Sequence, residues 1–206
     1  MKGTSHAIVG LTTGILLTNI ITADPKVVIS ATVVGSIIPD IDEEHSTINK
    51  IMFPIKSKYR NLLKAIVGIG LFSYGYLNNE MIQYIGLILL FSMISAKISY
   101  KLSLFKGFQK IKHHRTMFHN PLLALLIFVY PAYQMGIQKD YLIAFTVGLY
   151  ICHYFLDMFN TYGLPLFPLK RQIRMPLHYN SKNVVVEYLI IGAYMVSSYL
   201  IYGSLL

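Results

Sequence analysis

Histidine, aspartate and arginine side chains gather at four places in this chain, each at the end of an apolar stretch. The groups are His6, then Asp40 and Asp42 with His45, then His113, His114 and Arg115 with His119, then His153 with Asp157. Ionisable groups near hydrocarbon are costly and need a partner or a task. Imidazole and carboxylate together form a donor set for a divalent metal. An arginine beside such a set suits a phosphate or carboxylate.

His153-x-x-x-Asp157 carries the sharpest local pattern. Residues four apart share one helix face, so an imidazole nitrogen and a carboxylate oxygen can meet one ion, as inward-facing pairs do in helical metal proteins. The competing reading is a helical His–Asp hydrogen bond. His114 and His119 are five apart, roughly 140° on an ideal helix. That stretch therefore predicts a loop entering a helix, with His119 near the helix start; a basic membrane-surface run is the alternative. After Pro39 an extended chain is expected, so that Asp40 and Asp42 point the same way. Paired carboxylates repel unless a cation or proton neutralises them. One could ligate while the other orients a histidine, or either could cap a helix. Glu43 and Glu44 are expected to be solvated.

His6 could reach the same face. Glu187 enters the last apolar segment, as a support for a ligand or as a charge partner for Arg171 or Arg174. Cys152 is the single cysteine, which excludes an intrachain disulfide; packing is its expected role, with a metal thiolate the lesser alternative. His178 is expected at the surface, and the tyrosines in interfacial belts.

The elements that must position these residues are apolar. The 206 residues are 54% hydrophobic and 13% charged, against about 25% charged in an ordinary soluble domain. Apolar segments run over 61–77, 82–98, 121–138, 141–160 and 184–204, with shorter ones at 7–22 and 27–39. A bilayer core needs roughly 20 helical residues, so the two short segments are tilted, re-entrant or packed against the rest. A cleaved leader is the competing reading of 1–22, with Lys2 as a weak basic region; it lacks a clear small-residue cleavage pair. Asp24-Pro25, Pro39, Asn78-Asn79, Asn120-Pro121 and Gly163 punctuate the segments. The expected architecture is one all-α domain over 1–206, a polytopic helical membrane protein with about seven apolar segments, the first two short.

The net charge of +9 would suggest nucleic acid in a soluble protein, but its distribution argues otherwise. Under this segmentation 16 of the 18 Lys and Arg fall on one side, and only Lys26 and Lys139 on the other. The positive-inside rule makes the basic side cytoplasmic, with the N-terminus inside and the C-terminus outside. All four His/Asp groups then lie near the cytoplasmic face. Basic loops also suit anionic headgroups, at about 1 kcal/mol per cation. Glycine-rich phosphate loops, nucleophile elbows and zinc-finger spacings are absent.

Taken together, the chain resembles the YdjM-type family of inner-membrane metal-dependent hydrolases. The matching pieces are Ser5-His6, Gly35 with Pro39-Asp40-Ile41-Asp42, His114-Arg115 with His119, and His153-x-x-x-Asp157 followed by Thr161-x-Gly163 and Pro168. One departure is that Glu43-Glu44 stand where a histidine commonly follows the second aspartate, which leaves His45 as the substitute. The spacing is more distantly similar to zinc-dependent phospholipase C and related zinc nucleases. That similarity implies a phosphoester substrate and one to three zinc ions.

The resulting expectation is a membrane enzyme that hydrolyses a phosphoester of a lipid or lipid-linked substrate. Metal ligands come from His6, Asp40, His114, His119, His153 and Asp157, with His119, His153 and Asp157 the firmest set. Asp42 takes a proton from water and Arg115 holds the phosphate. His45, His113 and Glu187 are additional candidates. Zinc is the first choice of ion, and manganese or iron would accept the same groups. Membrane lipids are the expected partners. Two alternatives stand beside it: a metal that staples helices or is sensed, and an adaptor that docks a partner through its basic loops.

Overall fold

A computed structural model of the chain describes residues 3–43, 45–103, 117–161, 163–165, 172–176, 180 and 183–205. All seven apolar segments are helical. Helix α1 spans Gly3–Leu17 and α2 Pro25–Ile37, followed by a 3-10 turn at Ile38–Asp42. A short α3 (Thr47–Met52) precedes the long α4 (Ser57–Asn78) and α5 (Glu80–Ser103). A 3-10 turn at Met117–His119 leads to α6 (Pro121–Ala124), a π-helical stretch Leu125–Val129 and α7 (Tyr130–Gln134). Helix α8 (Lys139–Val147) runs into a second π-helical stretch, Gly148–Phe155. Two-residue strands β1 (Leu164–Pro165) and β2 (Gln172–Ile173) form a minimal ladder before α9 (Val184–Leu205).

The helix boundaries follow local chemistry. Asp24 caps α2 by accepting from Lys26 N at 2.8 Å, with Pro25 in the first turn. There a missing N–H costs nothing. Asn120 caps α6 by accepting from Leu122 N and Leu123 N at 3.0 and 3.2 Å. Asn79 ends α4 and caps α5 by accepting from Met81 N and Ile82 N at 2.9 and 3.2 Å.

The chain divides into two compact units. The first unites Met1–Pro39, Ile137–Leu164 and Gln172–Leu206. In it α2 packs on α1, on α8 and on the π-helical stretch that follows α8. Gly35 abuts the Phe145 carbonyl and Gly148 abuts the Thr32 carbonyl, so closely that a Cβ at either position would strike main chain. Close approach through small residues is how helices associate in lipid, where burial of apolar surface gives no drive. Helix α9 meets α1 through a Thr13–Tyr194 hydroxyl contact at 2.6 Å and through Val9 and Ile191, which share a core with Cys152 and Leu156.

The second unit is built on Asp40–Gly136. Its spine is the α4–α5 hairpin. Phe118 is buried and packs against Phe91 of α5 and Phe128, with ring centroids 5.6 and 5.1 Å away.

Many polar side chains are buried, whereas Leu62, Ile66 and Ile69 of α4 and Leu189, Val196 and Leu200 of α9 are exposed. That distribution suits lipid better than water. By length and apolarity, Val184–Ile201 is the one helix among the described residues that could cross a bilayer. Segments 121–138 and 141–160 are instead divided by π-helical turns.

The acidic element differs from expectation. Ile38–Asp42 is not extended but a 3-10 turn, closed by Glu43 N donating to Asp40 O at 3.1 Å. Proline's fixed φ fits the start of a helical turn as well as an extended chain. With three residues per turn, side chains two apart diverge, so Asp40 and Asp42 take different partners.

Candidate metal centre

In the first unit, α1 supplies His6, the π-helical stretch supplies His153, and the α-helical residues that continue it supply Asp157. All three are buried, and ligating atoms of the set lie within 4.8 Å of one another. His6 Nε2 is 3.3 Å from Asp157 Oδ1, and His153 Nε2 is 4.0 Å from Asp157 Oδ2. The imidazoles stack with centroids 4.1 Å apart. Residues 153 and 157 share a face as the spacing predicts. π-Helical turns are rare and concentrate at functional sites.

The other ring nitrogens decide what this arrangement can do. His6 Nδ1 lies 2.9 Å from the Cys152 carbonyl, and His153 Nδ1 lies 2.8 Å from the Ser36 carbonyl. A carbonyl only accepts, so each Nδ1 carries the hydrogen and donates it. Both Nε2 atoms, in the neutral rings, then present lone pairs towards a carboxylate. Lone pairs facing a carboxylate require a cation or a proton between them. Histidine ligands are held to metals in this way, with the second ring nitrogen fixed by a carbonyl or carboxylate. The residues therefore fit a divalent ion bound through His6 Nε2, His153 Nε2 and Asp157.

Cys152 contributes its carbonyl and not its thiol. The Sγ–H donates to Thr13 Oγ1 at 3.1 Å, which removes the thiolate alternative in this arrangement. Glu187 is buried and accepts from the Ser5 hydroxyl, next to His6. Glu187 therefore stands beside a candidate ligand residue through Ser5. Of its anticipated charge partners, Arg174 is exposed and Arg171 lies outside the described residues.

In the second unit, His119 Nε2 meets Asp40 Oδ1 at 3.2 Å, both buried. His119 closes the 3-10 turn just ahead of α6, close to its expected place. Asp42 Oδ2 accepts from Ser95 Oγ at 3.0 Å. Its Oδ1 is buried and makes no hydrogen bond among the described residues. Burial pushes the Asp42 carboxyl up to about 7, and Asp40 adds to the rise. His119, the Ser95 hydrogen bond and Lys64 oppose it.

Sequence reasoning missed the groups that hold this turn. Lys64 Nζ donates to Ile41 O at 2.6 Å, and Asn49 Nδ2 donates to Ile41 O and Glu43 O at 2.8 and 2.6 Å. Lys64 and Arg60 fall in a basic run expected to face headgroups, yet both are buried. Their place at the head of an apolar helix was the available signal, since a cation there needs a partner. His45 is exposed in a turn and joins neither group. His113, His114, Arg115 and His178 lie outside the described residues.

The family model described as YdjM inner membrane protein matches residues 1–205. The chain therefore belongs to that family. No curated relative and no solved structure matches it.

Proposed function

We propose, taking membership of the YdjM inner membrane protein family as the premise, that this chain is a multi-pass metal-dependent hydrolase. Its substrate is a phosphoester of a lipid or lipid-linked molecule. The seven apolar segments cross or enter the bilayer, with the N-terminus and the site cytoplasmic and the C-terminus outside. The asymmetry of the basic residues supports that orientation.

One observation carries the reading: His6 and His153 each commit Nδ1 to a main-chain carbonyl and turn Nε2 towards Asp157. His6, His153 and Asp157 would hold the ion, and Asp40 with His119 offers a further ligand pair. Zinc leads, with manganese or iron as alternatives, and one to three ions in all. A bound divalent ion would lower the pKa of water towards about 7 and polarise a phosphoryl oxygen. Within the second unit, Asp42 would accept a proton from water at an ion held by Asp40 and His119, since a carboxyl at about 7 suits a general base near neutral pH. Arg115 and His114, outside the described residues, would bind the phosphate and complete the ligand set.

The burial of all three ligands also favours a second reading, a metal that staples helices. Structural zinc sites are usually closed by four protein ligands, whereas catalytic ones keep a position open. Among the described residues the first unit's group offers three ligands, and a fourth position left to water would favour catalysis.

The test is elemental analysis of detergent-purified protein beside Asp157→Ala, followed by assays on lipid phosphoesters. At least one equivalent of metal, lost in the variant together with hydrolysis, is the expected result. Metal without hydrolysis would favour the staple. No metal in either protein would overturn both readings and leave the adaptor.

A further inference from the structure

Lys64 stands in an unusual place for a cation. It is 1% exposed and is followed on α4 by the apolar run Ala65–Phe72. Lysines near a membrane ordinarily snorkel to water, and removing an ammonium from water costs several kcal/mol. Lys64 instead donates to the Ile41 carbonyl at 2.6 Å, the residue between Asp40 and Asp42. Asn49 donates to the same carbonyl at 2.8 Å. One helical turn before Lys64, Arg60 Nε donates to Phe53 O and Ile55 O at 3.2 and 3.1 Å. Three side chains thus strap the 41–55 connection through its main chain.

A 3-10 turn of five residues moves nearly as one body. Holding the Ile41 peptide fixes where the Asp40 and Asp42 carboxylates point, one to His119 and the other to Ser95. Bare charge neutralisation would need no bond to the carbonyl.

We infer that Lys64 is a positioning residue for the acidic turn, holding the Ile41 peptide so that Asp40 presents its carboxylate with His119 to a divalent cation. The inference rests on the metal reading of Asp40. Positioning and simple countercharge predict opposite signs. Removing a neighbouring positive charge alone would tighten cation binding, whereas losing the strap would weaken it.

Zinc titration of the full-length, detergent-purified protein against a chromophoric chelator separates the two. Lys64→Met should weaken the zinc equivalent that Asp40→Ala loses by about 10–100-fold, the usual effect of losing an outer partner. Lys64→Arg should recover part of it. Asn49→Ala removes a strap without changing any charge and should weaken the same equivalent, so it carries the test if Lys64→Met does not fold. Zinc binding by Lys64→Met that is unchanged or tighter would overturn the positioning role. So would unchanged binding by Asn49→Ala. If Asp40→Ala binds as much zinc as the wild type, the metal reading of Asp40 falls, and the role of Lys64 falls with it.

Discussion

Two acid–histidine pairs of almost equal length are oriented by different means. His6 and Asp157 meet at 3.3 Å in the first unit, and His119 and Asp40 at 3.2 Å in the second. In the first unit, main-chain carbonyls of Cys152 and Ser36 fix the rings. In the second, the side chains of Lys64 and Asn49 fix the acidic turn and Ser95 binds Asp42. A site oriented by carbonyls depends on helix packing and tolerates side-chain changes at the orienting positions. A site oriented by side chains can be detuned one residue at a time.

The largest effect should come from the first unit's own ligand. His153→Ala is expected to lose at least one metal equivalent, a bigger loss than the ~10–100-fold attached to outer partners; elemental analysis reads it. Full retention of metal would end the account of that unit.

Gly148→Val tests the dependence on packing without touching a ligand. The added side chain strikes the Thr32 carbonyl. Overpacking of this kind costs about 3 kcal/mol, so thermal stability in detergent should fall and metal content with it. A destabilised variant that keeps its metal would break the link between helix approach and ring orientation.

Asp42 makes the second unit sensitive to pH. Burial raises its carboxyl from 3.8 to about 7, so the folded chain keeps a proton that the unfolded chain has lost. Stability should therefore decline as pH rises from about 4 to about 7 and level off beyond, a change on the order of a few kcal/mol. Asp42→Asn should flatten that slope in thermal melts of metal-free protein. An unchanged slope would place the titration elsewhere.

The smallest effect sharpens the contrast. Cys152→Ser keeps the carbonyl that holds His6 and a hydroxyl able to donate to Thr13. Stability should shift by less than about 1 kcal/mol, with metal content unchanged. Loss of metal would mean that the thiol matters after all.

The groups legible in the sequence were ionisable ones in apolar surroundings. His6, Asp40, His119, His153 and Asp157 stand out because such residues are rare there. The helical class and most boundaries were equally readable from Asp24, Asn79 and Asn120. The carbonyl partners were not, because every residue has a carbonyl and nothing marks Ser36 or Cys152. Lys64 was hidden inside a run of cations, where its neighbours suggested headgroups. The π-helical turns escaped because a count of 3.6 residues per turn assumes the α-helix. The turn at Asp40 was misread because Pro39 permits two backbone geometries.

The first unit is assembled from three separate stretches, whereas the second is mostly one stretch, Asp40–Gly136, joined by Pro165–Arg171. His6 and its carbonyl partner at Cys152 are 146 residues apart. At a synthesis rate of about 5–20 residues per second, His6 waits roughly 7–30 s for that partner to be made. During that interval His6 lacks the carbonyl it donates to in the folded chain, while the stretch between already holds the whole of α4 and α5. The α4–α5 pair can therefore form before the His6–Cys152 contact, and the His6, His153 and Asp157 group is complete only once residue 157 has been made.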